Sequence, residues 1–216
     1  MTAPADPTGT VFVIDDDASV RRALERQLRT AGFRVETFES AQDYVARAPQ
    51  AEIACILTDV RMPGMSGLDL QDSLAQAGRA LPMVFITGHG DIPTTVRAMK
   101  GGAVDFLPKP SSEREILAAV AEALERSVAI ERERREIGSL RARYEALSAR
   151  EREVLALVAA GLLNKVIADQ LGIQDATFKV HRGRVMEKMG AASAPRRVRV
   201  GREAEALAHP HQVGER

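Results

Sequence analysis

Three short and almost wholly apolar runs constrain the fold of this 216-residue chain more than any other feature. They are Val11–Ile14, Ile53–Leu57 and Met83–Ile86. Amphipathic stretches at helical spacing lie between them, and apolar strands alternating with such helices are typical of a parallel sheet covered on both faces. With weaker strands at Arg34–Phe38 and Val104–Leu107, the pattern predicts a doubly wound α/β domain with a five-stranded parallel sheet.

Polar residues follow the predicted strands where each strand ends. They are Asp15, Asp16 and Asp17 after the first, Asp59 after the third, Thr87 after the fourth and Lys109 after the fifth. Ligands of doubly wound sheets bind beyond the carboxyl ends of the strands, and clustered carboxylates with hard oxygen ligands suit Mg²⁺. A carboxylate held against Mg²⁺ can attack a phosphoryl group, while Thr87 and Lys109 can contact the transferred oxygens. The alternative is that the Asp triplet caps the next helix, a role we expect for Asp17.

Composition restricts the class of protein. Apolar residues make up 45% and charged residues 28%, the balance of a soluble globular chain. The apolar runs fall far short of the roughly 18–20 residues that a membrane span needs, and the chain opens with no secretion leader. A single cysteine, Cys55, excludes an internal disulfide and a cysteine-based zinc site, and we expect it in the core. We therefore expect a cytoplasmic protein that binds no membrane.

The segment Glu113–Leu147 contains no proline and one glycine, and it predicts a long helix. Ile130, Ile137 and Tyr144 fall at one heptad position, and Leu140 and Leu147 fall at another. Glu133 occupies the slot where a further apolar residue belongs. The pattern leaves two alternatives open: a short coiled coil, or a solvated helix with one stripe against a neighbour.

A third region begins at Ser148, which forms a capping-box pattern with Glu151. Three short helical stretches follow, with Gly161, Gly172 and Gly190 as their expected ends and Asp175 as the expected cap of the last. Short helices joined by tight turns indicate a helix-turn-helix arrangement.

The last of these helices has a basic side. Phe178, Val185 and Met189 can face inward, whereas four cationic residues point outward: Lys179, Arg182, Arg184 and Lys188. Residues 148–216 hold 12 Lys/Arg against 8 Asp/Glu, whereas residues 1–110 hold 11 against 14. This asymmetry favours a polyanion such as DNA as a partner of the last region, although a plain solvated helix face is the alternative.

Four stretches of the first half carry a family resemblance. They are VIDDD (13–17), LTDVRMPGMSG (57–67), FITGHG (85–90) and GAVDFLPKP (102–110). Residues from Thr10 to about Ala129 resemble a CheY-like receiver domain of a bacterial response regulator. The resemblance implies that Asp59 accepts a phosphoryl group and that Asp15, Asp16 and the Arg61 backbone carbonyl join Asp59 in binding Mg²⁺.

The same resemblance implies a conformational switch. Thr87 is the expected switch hydroxyl, Lys109 pairs with the phosphoryl group, and the Lys109–Pro110 bond is expected to be cis. Phe106 falls at the switch aromatic, which turns inward when Thr87 moves, with an ordinary core phenylalanine as the alternative. Ser111 departs from the phenylalanine that relatives often have there.

Three stretches of the last region closely resemble a LuxR-type helix-turn-helix. They are LSAREREVL (147–155), GLLNKVIA (161–168) and LGIQDATFKVHR (171–182). The resemblance places Lys179, Val180 and Gly183 at base-facing positions. It also implies contacts with the DNA backbone from Asn164, Lys165, Thr177, His181 and Arg182. Because Gly183 has no side chain, Arg182 or Arg184 is our hypothesis for the residue that carries specificity.

The family usually has a dimerising fourth helix after Ser193, and this chain departs from it. Arg197 stands where leucine is common and Gly201 where alanine is common, so dimerisation through this element is in doubt.

Over residues 10–200 the chain as a whole resembles a NarL/FixJ-like response regulator. The predicted divisions are a disordered N-terminus (1–9), a receiver (10–129), a helical linker (130–147), a DNA-binding domain (148–208) and a disordered tail (209–216). The implied function is transcription regulation, with activation favoured. A sensor histidine kinase phosphorylates Asp59 with Mg²⁺, and the protein then forms a homodimer on promoter DNA. RNA polymerase is a further implied partner.

Two other functions compete with this interpretation. Phosphatases with an aspartyl nucleophile usually have a second Asp two residues later, where this chain has Arg61. We therefore expect no enzyme beyond weak self-catalysed phosphorylation and dephosphorylation. The second is a phosphorylation-independent DNA-binding regulator or adaptor, which the complete set of receiver residues disfavours.

Overall fold

The computed structural model describes residues 9–88 and 91–190 of the chain. Contacts divide the chain into two compact units at Arg132 and Glu133, and each is described separately. The predicted disorder of residues 1–9 and 209–216, apart from Gly9, lies outside the described residues. So does the atypical segment from Ser193 onward.

The first unit contains five parallel strands in the spatial order β2-β1-β3-β4-β5. Their bounds are β1 Thr10–Ile14, β2 Arg34–Phe38, β3 Ala54–Thr58, β4 Met83–Thr87 and β5 Asp105–Pro108. Every residue of β1, β3 and β4 is buried, as the apolar runs predict for strands with helices on both faces. The doubly wound α/β prediction is therefore confirmed.

Helices cover both faces of this sheet. They are α1 Ala18–Thr30, α2 Ala41–Arg47, α3 Gly67–Gln76, α4 Ile92–Lys100 and the beginning of α5 Glu113–Glu145. Val11 and Val13 of β1 pack with α1 and α5, whereas Phe12 and Ile14 pack on the opposite face with α2, α3 and α4. This two-residue alternation follows from the strand pleat, and it gives the unit two hydrophobic cores. Cys55 is fully buried in the first core, as expected.

Helix α5 is continuous over 33 residues. Its buried side chains fall between Ile116 and Ser127, whereas Ile130 and Ile137 are 46% and 50% exposed. The predicted end at Leu147 is two residues late, because the helix ends at Glu145. Whether the exposed isoleucines join a coiled coil stays a prediction.

The second unit contains the end of α5 and three short helices: α6 Ala149–Ala159, α7 Asn164–Leu171 and α8 Asp175–Lys188. Phe178 and Ile167 are fully buried in its core, and Leu140, Tyr144 and Leu147 contribute to the same core. The contacts divide the chain between Arg132 and Glu133. The predicted boundaries lie elsewhere, at 129/130 and 147/148.

Local signals set the ends of these helices. Ser148 Oγ accepts from the Glu151 amide and the Glu151 carboxylate accepts from the Ser148 amide, which confirms the predicted capping box. Gly172 ends α7 in the left-handed conformation at φ 65°. The prediction that Asp175 caps α8 is wrong: Gln174 occupies that position, and Asp175 is already helical. Among the described residues, no helix combines the length and the apolar character needed to cross a bilayer.

Candidate functional site

Three carboxylates meet beyond the carboxyl ends of β1 and β3. The amide of Asp59 donates to the Ile14 carbonyl at 3.0 Å, so the strand ladder brings Asp59 beside the end of β1. Single carboxylate oxygens of Asp15, Asp16 and Asp59 all lie within 4.8 Å of one another. Residues far apart in sequence thus form one acidic cluster, as the strand ends predict.

Lys109 bridges two members of the cluster. Its Nζ lies 2.6 Å from Asp15 Oδ2 and 2.7 Å from Asp59 Oδ2. The side chain of Asp15 is 1% exposed and that of Asp59 is 13% exposed. Burial by itself lowers the pKa of Lys109, but hydrogen bonds to Asp15 and Asp59 outweigh it and leave the pKa raised. Lys109 is therefore a cation at neutral pH.

The donor set fits a divalent cation. Three carboxylates against one ammonium leave two net negative charges, which a single Mg²⁺ neutralises. Asp16 is exposed and keeps one side of the cluster open to solvent. The Arg61 amide donates to Asp59 Oδ1 at 3.1 Å, so residue 61 lies beside the phospho-acceptor candidate, while ligation by its carbonyl stays a prediction.

The predicted switch residues lie on neighbouring strands. Thr87 ends β4 with 2% exposure and pairs in register with Pro108 of β5. Phe106 is half-buried, and its ring centroid lies 6.2 Å from that of Phe85. The Lys109–Pro110 peptide is cis, as the resemblance implies. The Lys109 amide donates to the Thr87 carbonyl at 2.8 Å, which joins the two candidate phosphate-sensing residues.

Asp17 has a different role from its two neighbours. Its carboxylate accepts from the amides of Ser19 and Val20, and the Ser19 hydroxyl is the main cause of its lowered pKa. It is thus the N-cap of α1, as predicted.

Two residues support the cluster without a role assigned from sequence. Arg21 donates to the carbonyl oxygens of Asp15 and Asp16, at 2.6 and 3.1 Å, and so holds the acidic loop. A Cβ on Gly67 would collide with the Asp59 carbonyl oxygen, so only glycine allows α3 to begin this close to the site. The second glycine of the LTDVRMPGMSG stretch was the available signal for Gly67, whereas nothing in the sequence identified Arg21.

The second candidate surface lies on α7 and α8. Phe178, Val185 and Met186 are buried, which orients the rest of α8 outward. Six predicted DNA contacts of this helix are exposed: Thr177, Lys179, Val180, Gly183, Arg184 and Lys188. Asn164, His181 and Arg182 are half-buried, and Lys165 is exposed. The structure therefore brings the predicted contacts onto two adjoining helices.

Four of these predicted contacts, Asn164, Lys179, Arg182 and Lys188, already have partners within the second unit. Lys179 pairs with Asp175 at 2.8 Å on the helix surface, and Arg182 donates to Asn164 Oδ1 at 2.8 Å. Lys188 pairs with Glu151 of α6 at 2.6 Å. The hydrogen bond from Lys188 is the main reason why the pKa of Glu151 falls to about 2.

Comparison with known proteins covers both units. Residues 11–121 match the response regulator receiver domain, and residues 145–200 match the luxR family of bacterial regulatory proteins. Nodulation protein W of Bradyrhizobium diazoefficiens is 47% identical over 189 residues, which are 88% of this chain and 83% of that protein. Transcriptional regulatory protein FixJ of Rhizobium meliloti is 44% identical over 191 residues, 88% of this chain and 94% of FixJ. The solved structure of response regulator StyR has a TM-score of 0.79 at 44% identity, covering 91% of this chain and 99% of StyR.

Proposed function

This chain belongs to the two-component response regulators that join a receiver domain to a LuxR-type DNA-binding domain, and on that premise we propose how its residues work. Asp59 is the phospho-acceptor, and the donor is a sensor histidine kinase. The observation that carries this assignment is the bridge from Lys109 to Asp15 and Asp59, with Asp16 within reach.

The chemistry follows from these side chains. An Asp59 carboxylate oxygen bonds to phosphorus as the bond from phosphorus to the kinase histidine nitrogen breaks, which leaves an acyl phosphate. Lys109 exchanges its contact with Asp59 for one with a phosphoryl oxygen, and Thr87 donates its hydroxyl to another. A Mg²⁺ held by Asp15, Asp16, Asp59 and the Arg61 carbonyl would supply charge neutralisation for the phosphoryl oxygens. With small phosphoryl donors, the same groups support at most weak self-catalysed phosphorylation and dephosphorylation.

Phosphorylation then alters the surface around α4. This helix buries only Ala98, whereas Ile92, Val96 and Met99 are 81%, 44% and 46% exposed. A helix with so little buried surface is held weakly, and inward movement of Phe106 repacks it. The exposed apolar side chains supply the contact surface of a receiver homodimer.

Dimerisation places two DNA-binding domains on paired half-sites of promoter DNA. The α7 and α8 residues named above contact the DNA, and RNA polymerase is recruited there in the cytoplasm to activate transcription. The predicted division into receiver (10–129), linker (130–147) and DNA-binding domain (148–208) is part of this proposal.

Light-scattering mass with Mg²⁺, with and without a small phosphoryl donor, tests the proposal. We expect wild type to change from monomer to dimer only with the donor, and Asp59→Asn to stay monomeric. Asp169→Asn, which removes an exposed carboxylate of α7, is the matched control and should behave as wild type does. A mass that never changes, or changes equally in Asp59→Asn, would support phosphorylation-independent regulation instead.

A further inference from the structure

The cationic residues of α8 are not equally available to DNA. Of the four, Lys179 is paired with Asp175, Arg182 with Asn164 and Lys188 with Glu151. Arg184 is exposed and has no hydrogen bond or ion pair with any residue that the structure describes. Judged from the described part of the chain, it is therefore the one of these four cations that can reach a new partner without leaving an existing one.

Gly183 leaves a gap on the exposed side of α8 beside Arg184. Apart from its two chain neighbours and the backbone of α8 itself, no described residue has an atom within 4 Å of where a Cβ of Gly183 would be. Long side chains of a helix lean toward its N-terminus, so a spot on the surface is covered by the residue about one position later. Arg184 is the next residue of α8 and is exposed, so its long side chain has room to extend over this open surface.

The Asn164–Arg182 contact assigns a different role to the other candidate arginine. Arg182 is half-buried, and its donation to Asn164 at 2.8 Å joins α8 to the first turn of α7. A guanidinium held in this way still has other N–H groups that can bind a DNA phosphate. A phosphate contact positions the domain on DNA but does not distinguish one base from another.

We propose, building on the proposed DNA-binding function, that Gly183 and Arg184 form the base-reading element of α8 and that Arg184 recognises a guanine in each half-site. The planar guanidinium presents two parallel N–H groups, and guanine presents the matching O6 and N7 acceptors in the major groove. Gly183 adds no side chain of its own, so the Arg184 side chain can lie against the helix backbone and the backbone can approach the base edges. Arg182, held by Asn164, is a phosphate-contacting residue.

The test uses the full-length phosphorylated protein and a pool of randomised DNA duplexes. Sequences that wild type selects define its half-site, and fluorescence anisotropy then measures affinity for that site and for its single-base variants. We expect Arg184→Ala to bind the selected site roughly 5- to 150-fold more weakly, the equivalent of one bidentate base contact, and to lose preference for one guanine.

Two further variants separate base reading from folding and from phosphate contact. Gly183→Met has room within the domain and a better helix propensity, so we expect a higher Tm together with weaker discrimination of the guanine. Asn164→Ala should weaken binding to every duplex by a similar factor and leave the base preference unchanged.

The outcomes are distinct. If Arg184→Ala weakens all duplexes equally or keeps the guanine preference, the assignment of Arg184 is overturned, and an unchanged discrimination in Gly183→Met overturns the role of Gly183. If wild type binds no duplex at any salt concentration, the proposed DNA-binding function itself fails. Salt-dependent binding of wild type without any base preference overturns this inference alone.

Discussion

At the scale of single residues, two ion-pair sites differ in how much water reaches them. Lys109 is 23% exposed and contacts two carboxylates that are nearly buried, so its charge is committed to the acidic cluster. Lys188 is 48% exposed, and its partner Glu151 is 15% exposed. The first site suits chemistry that exchanges one anion for another, whereas the second ties α8 to α6.

The Glu151 carboxylate predicts a pH dependence of stability in the second unit. Its pKa falls from 4.5 to about 2, chiefly through the hydrogen bond from Lys188, so folding favours the ionised form. The stabilisation is therefore complete well above pH 4.5 and is lost as the pH falls toward 2. We expect Glu151→Gln to have a lower Tm than wild type at pH 7, with a difference that shrinks below about pH 4.5.

Thermal melts followed by circular dichroism across this pH range check the prediction. Glu153→Gln is the matched control, since among the described residues Glu153 pairs with Arg150 of its own helix alone, and its Tm difference should be small throughout. A Glu151→Gln difference that is the same at every pH would contradict the pKa shift.

At the scale of elements, the helices of the two units are capped differently. In the first unit, Asp17, Ser40, Ser66 and Asp91 each accept a backbone hydrogen bond at the start of a helix. In the second unit, α6 has a capping box, but the side chains at the N-caps of α7 and α8 accept none. The two helices proposed to contact DNA thus begin with backbone N–H groups that no N-cap side chain satisfies.

Leu163 is the N-cap of α7 and is 75% exposed, so replacing it removes little buried apolar surface. We expect Leu163→Ser to stabilise the helix by about 1 kcal/mol, because a serine oxygen at this position accepts from an amide of the first turn. Hydrogen exchange of the α7 amides measures this local stability. Leu162→Ser, one residue before the cap, should give no added protection, and equal exchange in wild type and Leu163→Ser would count against the capping role.

At the scale of the whole molecule, the division after Arg132 predicts which fragments fold. Both cores of the first unit are complete by Leu124, so we expect residues 1–132 to fold and to accept a phosphoryl group. The core of the second unit includes Leu140, Tyr144 and Leu147, which precede the predicted domain start at residue 148. We therefore expect residues 133–216 to be more stable than residues 148–216, by roughly 1.5–3 kcal/mol for the buried Leu147 alone.

Urea unfolding of the fragments, followed by circular dichroism, measures the difference. Residues 137–216 form the matched control: they keep all three core side chains and should be as stable as residues 133–216. If residues 148–216 match the longer fragments, the predicted boundary at 147/148 marks the true start of the DNA-binding domain.

The sequence by itself determined the class of fold and the position of the acidic cluster. Runs such as Val11–Ile14 are buried on both faces, so their apolar residues are contiguous and visible without any knowledge of the partners. The carboxyl ends of parallel strands lie at the same edge of a sheet, so the sequence positions of Asp15, Asp59 and Lys109 at strand ends predict that they lie close together. The glycines that end α6, α7 and α8 were likewise local signals.

Only the tertiary structure decided which polar groups are already partnered. Arg182 and Asn164 are 18 positions apart and Lys188 and Glu151 are 37 apart, so neither contact leaves a periodic trace in the sequence. The same holds for Arg21, which reaches the backbone of the acidic loop, and for Gly67, where α3 approaches Asp59. Composition reports how many charges a segment has, but their availability depends on directional contacts of a few ångströms between helices, and those exist only after packing.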